Sequence, residues 1–195
     1  MRYIRADWDD IERLCEVVAD KIRRSGFRPE VIVAVSRGGL PPARILSDML
    51  GVNDVASVSV RYYRRPGERE EKPVITCPLN ADVRGKKVLI VDDVADTGHS
   101  LQVVREHVLG RGASEVRIAT LHYKPWSVLK PDYYAEETDA WVIYAWEKWE
   151  TVRSLMAKMA DEGVDEEEAI KNLVGIGFDR GFVEKVLSRP AMGEG

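Results

Sequence analysis

The sequence predicts an α/β fold: a mostly parallel open sheet flanked by helices, with a small hood and a helical C-terminal extension. Three observations carry this prediction. Apolar, β-branched runs at 31 to 35 and 88 to 91 are continuous rather than alternating, as in strands buried on both faces, and 116 to 121 reads as a further strand. Helical periods lie between them, so strand-helix-strand units repeat and a right-handed parallel arrangement is the simplest. Small, donor-rich turns follow the first two runs directly, at the strand ends where open α/β sheets bind ligands.

Composition limits what this fold can do. With 195 residues, 45% of them hydrophobic, the chain can bury one substantial core plus an appendage. The division expected is a domain over 1–150, a helical extension over 151–189 and a flexible tail over 190–195. A formal charge of -4 disfavours a broad nucleic-acid surface, so any anion needs a local site. Cys15 and Cys77 are far apart and form no metal-ligand spacing, which suits a reducing compartment. No leader pattern and no membrane-length apolar run is read, so a cytoplasmic protein is expected.

The first helix is read from Asp7, a cap, through Ile11, Leu14, Cys15, Val18 and Ile22 on one face, to a stop at Gly26. The strand at 31 to 35 runs into Ser36, Arg37, Gly38 and Gly39, then Pro41 and Pro42, which suit a helix start. A hydroxyl, a guanidinium and close-approaching glycine amides are the ingredients of a pyrophosphate site; an ordinary strand-to-helix turn has the same outline. Residues 55 to 63 read as another strand. The charged, Gly- and Pro-bearing stretch that follows reads as an exposed hairpin or as a mobile lid over about 61–77, with Arg64, Arg65, Arg69 and Lys72 as candidate contacts.

The central run is VLIVDDVADTGHSL, residues 88 to 101. Asp92 and Asp93 are read as leaving the strand end, and Asp96, Thr97, Gly98, His99 and Ser100 as a turn into the next helix that can cradle a phosphate. Two adjacent carboxylates repel a polyanion, so they fit better as acceptors for a diol, or as a place where magnesium joins protein and ligand. After the strand at 116 to 121, His107 reads as an ordinary helical residue and His122 as a polar loop residue rather than a metal ligand. Lys124 stands just beyond a strand, where it can donate to a carbonyl. Trp141 with Val142 can cover and edge-bind a flat heterocycle, or simply belong to a core strand.

The 88 to 101 run resembles the ribose-phosphate signature of the type I phosphoribosyltransferases. VSRGGLPPARILSDMLG resembles the pyrophosphate loop of their purine enzymes, particularly the bacterial xanthine-guanine type, with all motifs in matching order over about residues 25 to 150. The resemblance implies that Asp92 and Asp93 hold the ribose hydroxyls of phosphoribosyl pyrophosphate while Ala95 and the loop Asp96 to Ser100 wrap the 5′-phosphate. It assigns Ser36, Arg37 and Gly38 to pyrophosphate, with a cis peptide expected between Ser36 and Arg37. Lys124, Trp141 and Val142 fall at the base-binding positions of 6-oxopurine enzymes, and Asp93 and Glu147 at the Mg2+ side. Asp96, Arg37 and Lys124 are the implied catalytic residues, and a homodimer or homotetramer is the usual assembly.

Beyond 150, Val152, Leu155, Met156 and Met159 continue one amphipathic helix. Two shorter helices are then expected, broken near Gly175 to Gly177, with Asp165 and Glu168 as a capping pair. Three functions stay in view: 6-oxopurine phosphoribosyl transfer; a nucleotide- or phosphoribosyl pyrophosphate-sensing regulator with little turnover; and transfer to adenine, a pyrimidine or nicotinate.

Overall fold

The computed structural model describes residues 2–63 and 72–189. The contacts expected of Arg64, Arg65 and Arg69, and the tail 190–195, lie outside the described residues. In chain order the elements are β1 (Tyr3–Ala6), α1 (Trp8–Ser25), β2 (Val31–Ser36), α2 (Leu40–Leu50), β3 (Val55–Tyr63), β4 (Lys72–Cys77), β5 (Lys87–Ala95), α3 (His99–Gly110), β6 (Glu115–Tyr123), β7 (Tyr133–Glu137), β8 (Trp141–Tyr144), α4 (Lys148–Asp161), α5 (Glu166–Ile176) and α6 (Arg180–Leu187). The chain divides into two compact units, residues 9–139 and residues 1–8 with 140–195. The division expected at residue 150 falls inside α4.

The larger unit is built on a six-stranded sheet in the order β4-β3-β2-β5-β6-β7. Every neighbouring pair is parallel except β3 with β4. The two central strands β2 and β5 carry the unbroken apolar runs because both of their faces are covered. Along one face Val31, Val33, Val35, Val88 and Ile90 pack with Leu101, Val104 and Val108 of α3. Truncating a fully buried residue of this layer such as Ile90 to alanine would cost about 2–5 kcal/mol. The edge strand β7, YYAEE, was not read from sequence. The described ends of the stretch expected as a mobile loop over 61–77 are strand, with Arg61 opposite Val74 and Tyr62 opposite Pro73.

Strand register creates the opening at the sheet's upper edge. The pairing of β2 with β5 stops at Ala34–Val91, whereas the pairing of β5 with β6 continues to Ala95–Tyr123. Asp92 to Ala95 therefore remain strand, paired on one side only, instead of leaving the sheet after Val91 as the sequence suggested. The second carboxylate, Asp93, lies against Gly38 of the turn that follows β2 rather than beside a paired β2 residue. His122 is likewise inside β6 and buried, not in a loop.

In the smaller unit β1 and β8 pair in parallel as a two-stranded sheet. Ile143 of β8 shares a core with Val152, Ile170, Leu173, Phe178, Val183 and Val186 from α4, α5 and α6. Asp165 caps α5, accepting from the amides of Glu167 at 3.1 Å and Glu168 at 3.2 Å. Gly177 ends the helix in the left-handed conformation at φ 105°, its carbonyl taking a hydrogen bond from Arg5. Among the described residues no helix is long and apolar enough to cross a membrane.

Candidate active site

Two loops meet at the opening between β2 and β5. The first leaves β2 through a cis peptide between Ser36 and Arg37, as expected, and turns at Gly38 and Gly39 into α2 with prolines in its first turn. Both glycines are required by space. A Cβ at Gly38 would fall within the Asp93 carboxylate, and one at Gly39 would lie 2.7 Å from the Val35 carbonyl oxygen. The Ser36-Arg37-Gly38 turn is thus seated directly on the acidic pair.

The acidic pair is itself held by its own backbone. Asp92 Oδ1 accepts from the Asp93 amide at 3.0 Å, and Asp93 Oδ1 accepts from the Val94 amide at 2.8 Å. Burial, and then the charge of Asp93 beside it, push the Asp92 carboxyl well above the usual carboxylate range. A ligand hydroxyl donating to this pair, or a cation, would offset that cost.

The second loop runs from Asp96 to Ser100. Gly98 stands at φ 84° as the cap of α3, and a Cβ there would lie 2.5 Å from Ser127 Oγ and 2.8 Å from the Leu129 amide. The 124 to 129 segment therefore closes on the loop from behind, with the Val128 amide donating to the Thr97 carbonyl at 3.0 Å. The space in front is a cavity of about 240 Å³ lined by Asp92, Val94 to Leu101 apart from His99, and Tyr62. Tyr62 reaches in from β3, its hydroxyl 3.2 Å from Thr97 Oγ1 and accepting from Ser100 Oγ at 3.3 Å. His99 begins α3 as an exposed residue.

A second cavity of about 490 Å³ opens beside the β2 loop, lined by Ser36, Arg37, Ser59, Val60, Arg61, Thr76 and Cys77. Two guanidiniums and three hydroxyls, with no carboxylate among the described lining residues, make it suited to a polyanion. On the other flank, Lys124 follows β6, its amide donating to the Ala95 carbonyl at 3.0 Å. Lys124 is only 6% exposed, and its ammonium lies 5.5 Å from the centre of the Trp126 ring. Asp96 is exposed and accepts from Trp126 Nε1 at 3.0 Å. His122 is kept neutral by burial, which brings it down to about 4, with Glu136 3.9 Å away.

The profile of the phosphoribosyl transferase domain matches residues 6–155. The chain belongs to the phosphoribosyl transferase family. Among its relatives is the xanthine-guanine phosphoribosyltransferase of Gluconobacter oxydans (strain 621H), 32% identical over 149 residues, which span 75% of this chain and 86% of that protein. Among solved structures it resembles a purine phosphoribosyltransferase from Pyrococcus horikoshii Ot3, with 42% identity, a TM-score of 0.69, and coverage of 76% of this chain and 95% of the other. A hypothetical protein from Neisseria gonorrhoeae with bound ppGpp matches at 27% identity and a TM-score of 0.69, over 84% of this chain and 98% of its own.

As a phosphoribosyltransferase the protein has Ser36, Arg37, Gly38, Asp92, Asp93 and Asp96 to Ser100 around one opening, with Lys124 at the end of the neighbouring strand. The other predicted residues belong to the smaller unit. There Trp141 is 50% exposed, Val142 is buried, and Glu147 Oε1 accepts from the Tyr144 amide at 3.1 Å. Sequence reading missed Ser59, Arg61, Tyr62, Thr76 and Trp126. The alternation of Ser59 with Arg61 on the strand that lines a cavity with Ser36 and Arg37 was the available signal; nothing local pointed to Trp126. As to magnesium, no group of three or more potential ligands occurs among the described residues. The Asp92-Asp93 pair fits the mode in which Mg2+ takes one or two carboxylates and completes its shell with water and substrate phosphates.

Proposed function

We propose that this phosphoribosyltransferase transfers the 5-phosphoribosyl group of phosphoribosyl pyrophosphate to a 6-oxopurine, namely guanine, hypoxanthine or xanthine, in purine salvage. The observation that carries this reading is the seat of Gly38 on Asp93, which joins a polyanion turn to a diol-accepting carboxylate pair. The names of the Gluconobacter and Pyrococcus relatives support a purine acceptor.

In this reading Asp92 and Asp93 accept from the ribose hydroxyls, and Ala95 with the Asp96 to Ser100 loop takes the 5′-phosphate. Ser36, Arg37 and Gly38 receive the pyrophosphate, with Arg61, Ser59 and Thr76 lining the adjoining cavity. A purine nitrogen bonds to C1′ as the bond from C1′ to the pyrophosphate oxygen breaks, and Asp96 accepts or orients the proton at the purine N7. Lys124 donates to O6, while Trp141 and Val142 are assigned to the base through the family resemblance. Mg2+ supplies charge neutralisation of the leaving pyrophosphate; Asp93 is the proposed protein contact, and Glu147 a second one from the resemblance. The enzyme is proposed to work in the cytoplasm as a homodimer or homotetramer.

A second reading, a nucleotide-sensing protein with little turnover, draws on the ppGpp bound by the Neisseria protein. A base panel with phosphoribosyl pyrophosphate and Mg2+ separates the two. Nucleotide and pyrophosphate are expected from at least one of guanine, hypoxanthine and xanthine. Binding of ppGpp with no product from any base would favour the sensor.

A further inference from the structure

Trp126 is an exposed indole held by two directed contacts. It is 54% exposed, so burial of its ring is incomplete and does not by itself set its position. Its place is set by backbone. The Lys124 amide is tied to Ala95, the Ser127 amide donates to the Lys124 carbonyl at 3.0 Å, and the Val128 amide is tied to Thr97. That short bridge starts where β5 and β6 end side by side, with Ala95 opposite Tyr123. It carries the indole to a point where Nε1 meets Asp96 at 3.0 Å and the ring meets the Lys124 ammonium at 5.5 Å. Asp96 and Lys124 are the groups assigned to N7 and O6 of the base, two edges of one flat molecule. A single side chain spans them.

We propose that Trp126 is a positioning residue for the base side of the site, its N–H fixing the rotamer of Asp96 and its ring fixing the direction of Lys124. This rests on the 6-oxopurine reading above. An exposed carboxylate turns about two side-chain bonds, and a directed N–H donor selects one setting of them. The ring contact does the same for a four-carbon stem. The two halves of the role separate by substitution. Trp126→Phe keeps an aromatic face for Lys124 and removes the donor to Asp96; Trp126→Leu removes both.

The test is steady-state kinetics with guanine and adenine, alongside crystal structures of wild type and Trp126→Phe. Trp126→Phe is expected to lower kcat with guanine by about tenfold, the effect of losing a hydrogen bond to a charged group. Its KM for phosphoribosyl pyrophosphate and its guanine-to-adenine ratio stay within twofold. Trp126→Leu is expected to lower kcat similarly and to narrow the base ratio as well. In the Trp126→Phe crystal structure the Asp96 carboxylate is expected to turn away from its wild-type setting. An unmoved Asp96, or an unchanged kcat in Trp126→Phe, overturns the proposal, as does a parallel loss of melting temperature, kcat and both substrate affinities. If wild type makes no nucleotide from any 6-oxopurine, the functional reading fails by itself, and the Asp96 setting in the two crystal structures still decides whether Trp126 positions it.

Discussion

Gly38 lies against Asp93 with no room for a side chain: a Cβ on the glycine would be 2.5 Å from the Asp93 carboxyl carbon and 2.7 Å from Oδ1. The contact couples the turn after β2 to the acidic end of β5. Gly38→Ala should therefore push Asp93 out of place, because neither the Val35-bonded turn nor the paired strand can yield easily. Overpacking of this kind costs about 1–3 kcal/mol. The expected result is a lower melting temperature and a KM for phosphoribosyl pyrophosphate raised roughly tenfold or more, with the KM for base much less affected. Wild-type KM values in a folded Gly38→Ala protein would show that the contact does not matter for substrate.

Tyr62 occupies the hydroxyls that the 5′-phosphate is proposed to use. Its hydroxyl accepts from Ser100 Oγ and must release it before Ser100 can donate to a phosphate. One exposed neutral hydrogen bond is worth about 0.5–1 kcal/mol, so Tyr62→Phe should tighten phosphoribosyl pyrophosphate binding by roughly two- to fivefold. Calorimetric titration of the two proteins reads this directly. Weaker binding by the variant would mean that the phenol stays and contacts the phosphate itself.

The strands at the centre of the fold were legible because β2 and β5 are buried on both faces and must be apolar throughout. Asp92 to Ala95 were misread for the complementary reason. Carboxylates are poor strand residues, and only the register of β5 against β6 shows that the sheet continues where β2 has turned away. The edge strand β7 was invisible because YYAEE has one partly buried side and carries its charges at the end. The turns at 36 to 39 and 96 to 100, proposed for pyrophosphate and phosphate, stand out as short local motifs. Tyr62 and Trp126 do not, since their partners lie 35 and 30 residues away and meet them only through strand order and loop closure.

Asp92 should leave a signature in the dependence of stability on pH. Burial and the neighbouring Asp93 raise its carboxyl above the value in an unfolded chain, so the folded state binds its proton more tightly. The resulting stability is fully present below the unfolded value of about 4 and is lost as pH rises through the raised folded value. Asp92→Asn imitates the protonated form at every pH. The variant should melt higher than wild type at neutral pH, with the difference shrinking as pH falls through the raised folded value and gone below about 4, while losing affinity for phosphoribosyl pyrophosphate. Melting curves from pH 3 to 8 check this; a difference independent of pH would mean that packing, not the charge, sets it.

Lys124 tests the identity of the base. It is nearly fully buried at the end of β6, so its ammonium has few ways to turn and a fixed acceptor such as O6 suits it. An adenine would present an amino group to the same donor and leave it unsatisfied. Lys124→Ala removes the discrimination along with the donor. Loss of a hydrogen bond from a charged group, about 1.5–3 kcal/mol, should lower kcat/KM for guanine roughly ten- to hundredfold and change that for adenine little, so that the ratio between them narrows by the same factor. Binding of phosphoribosyl pyrophosphate should be unaffected, because Asp92, Asp93 and the Asp96 to Ser100 loop keep their own backbone ties. Rates measured with both bases at saturating phosphoribosyl pyrophosphate, on a variant shown to be folded by its melting curve, decide the matter. An unchanged guanine-to-adenine ratio would take Lys124 out of base recognition and leave it a buried cation held by Trp126.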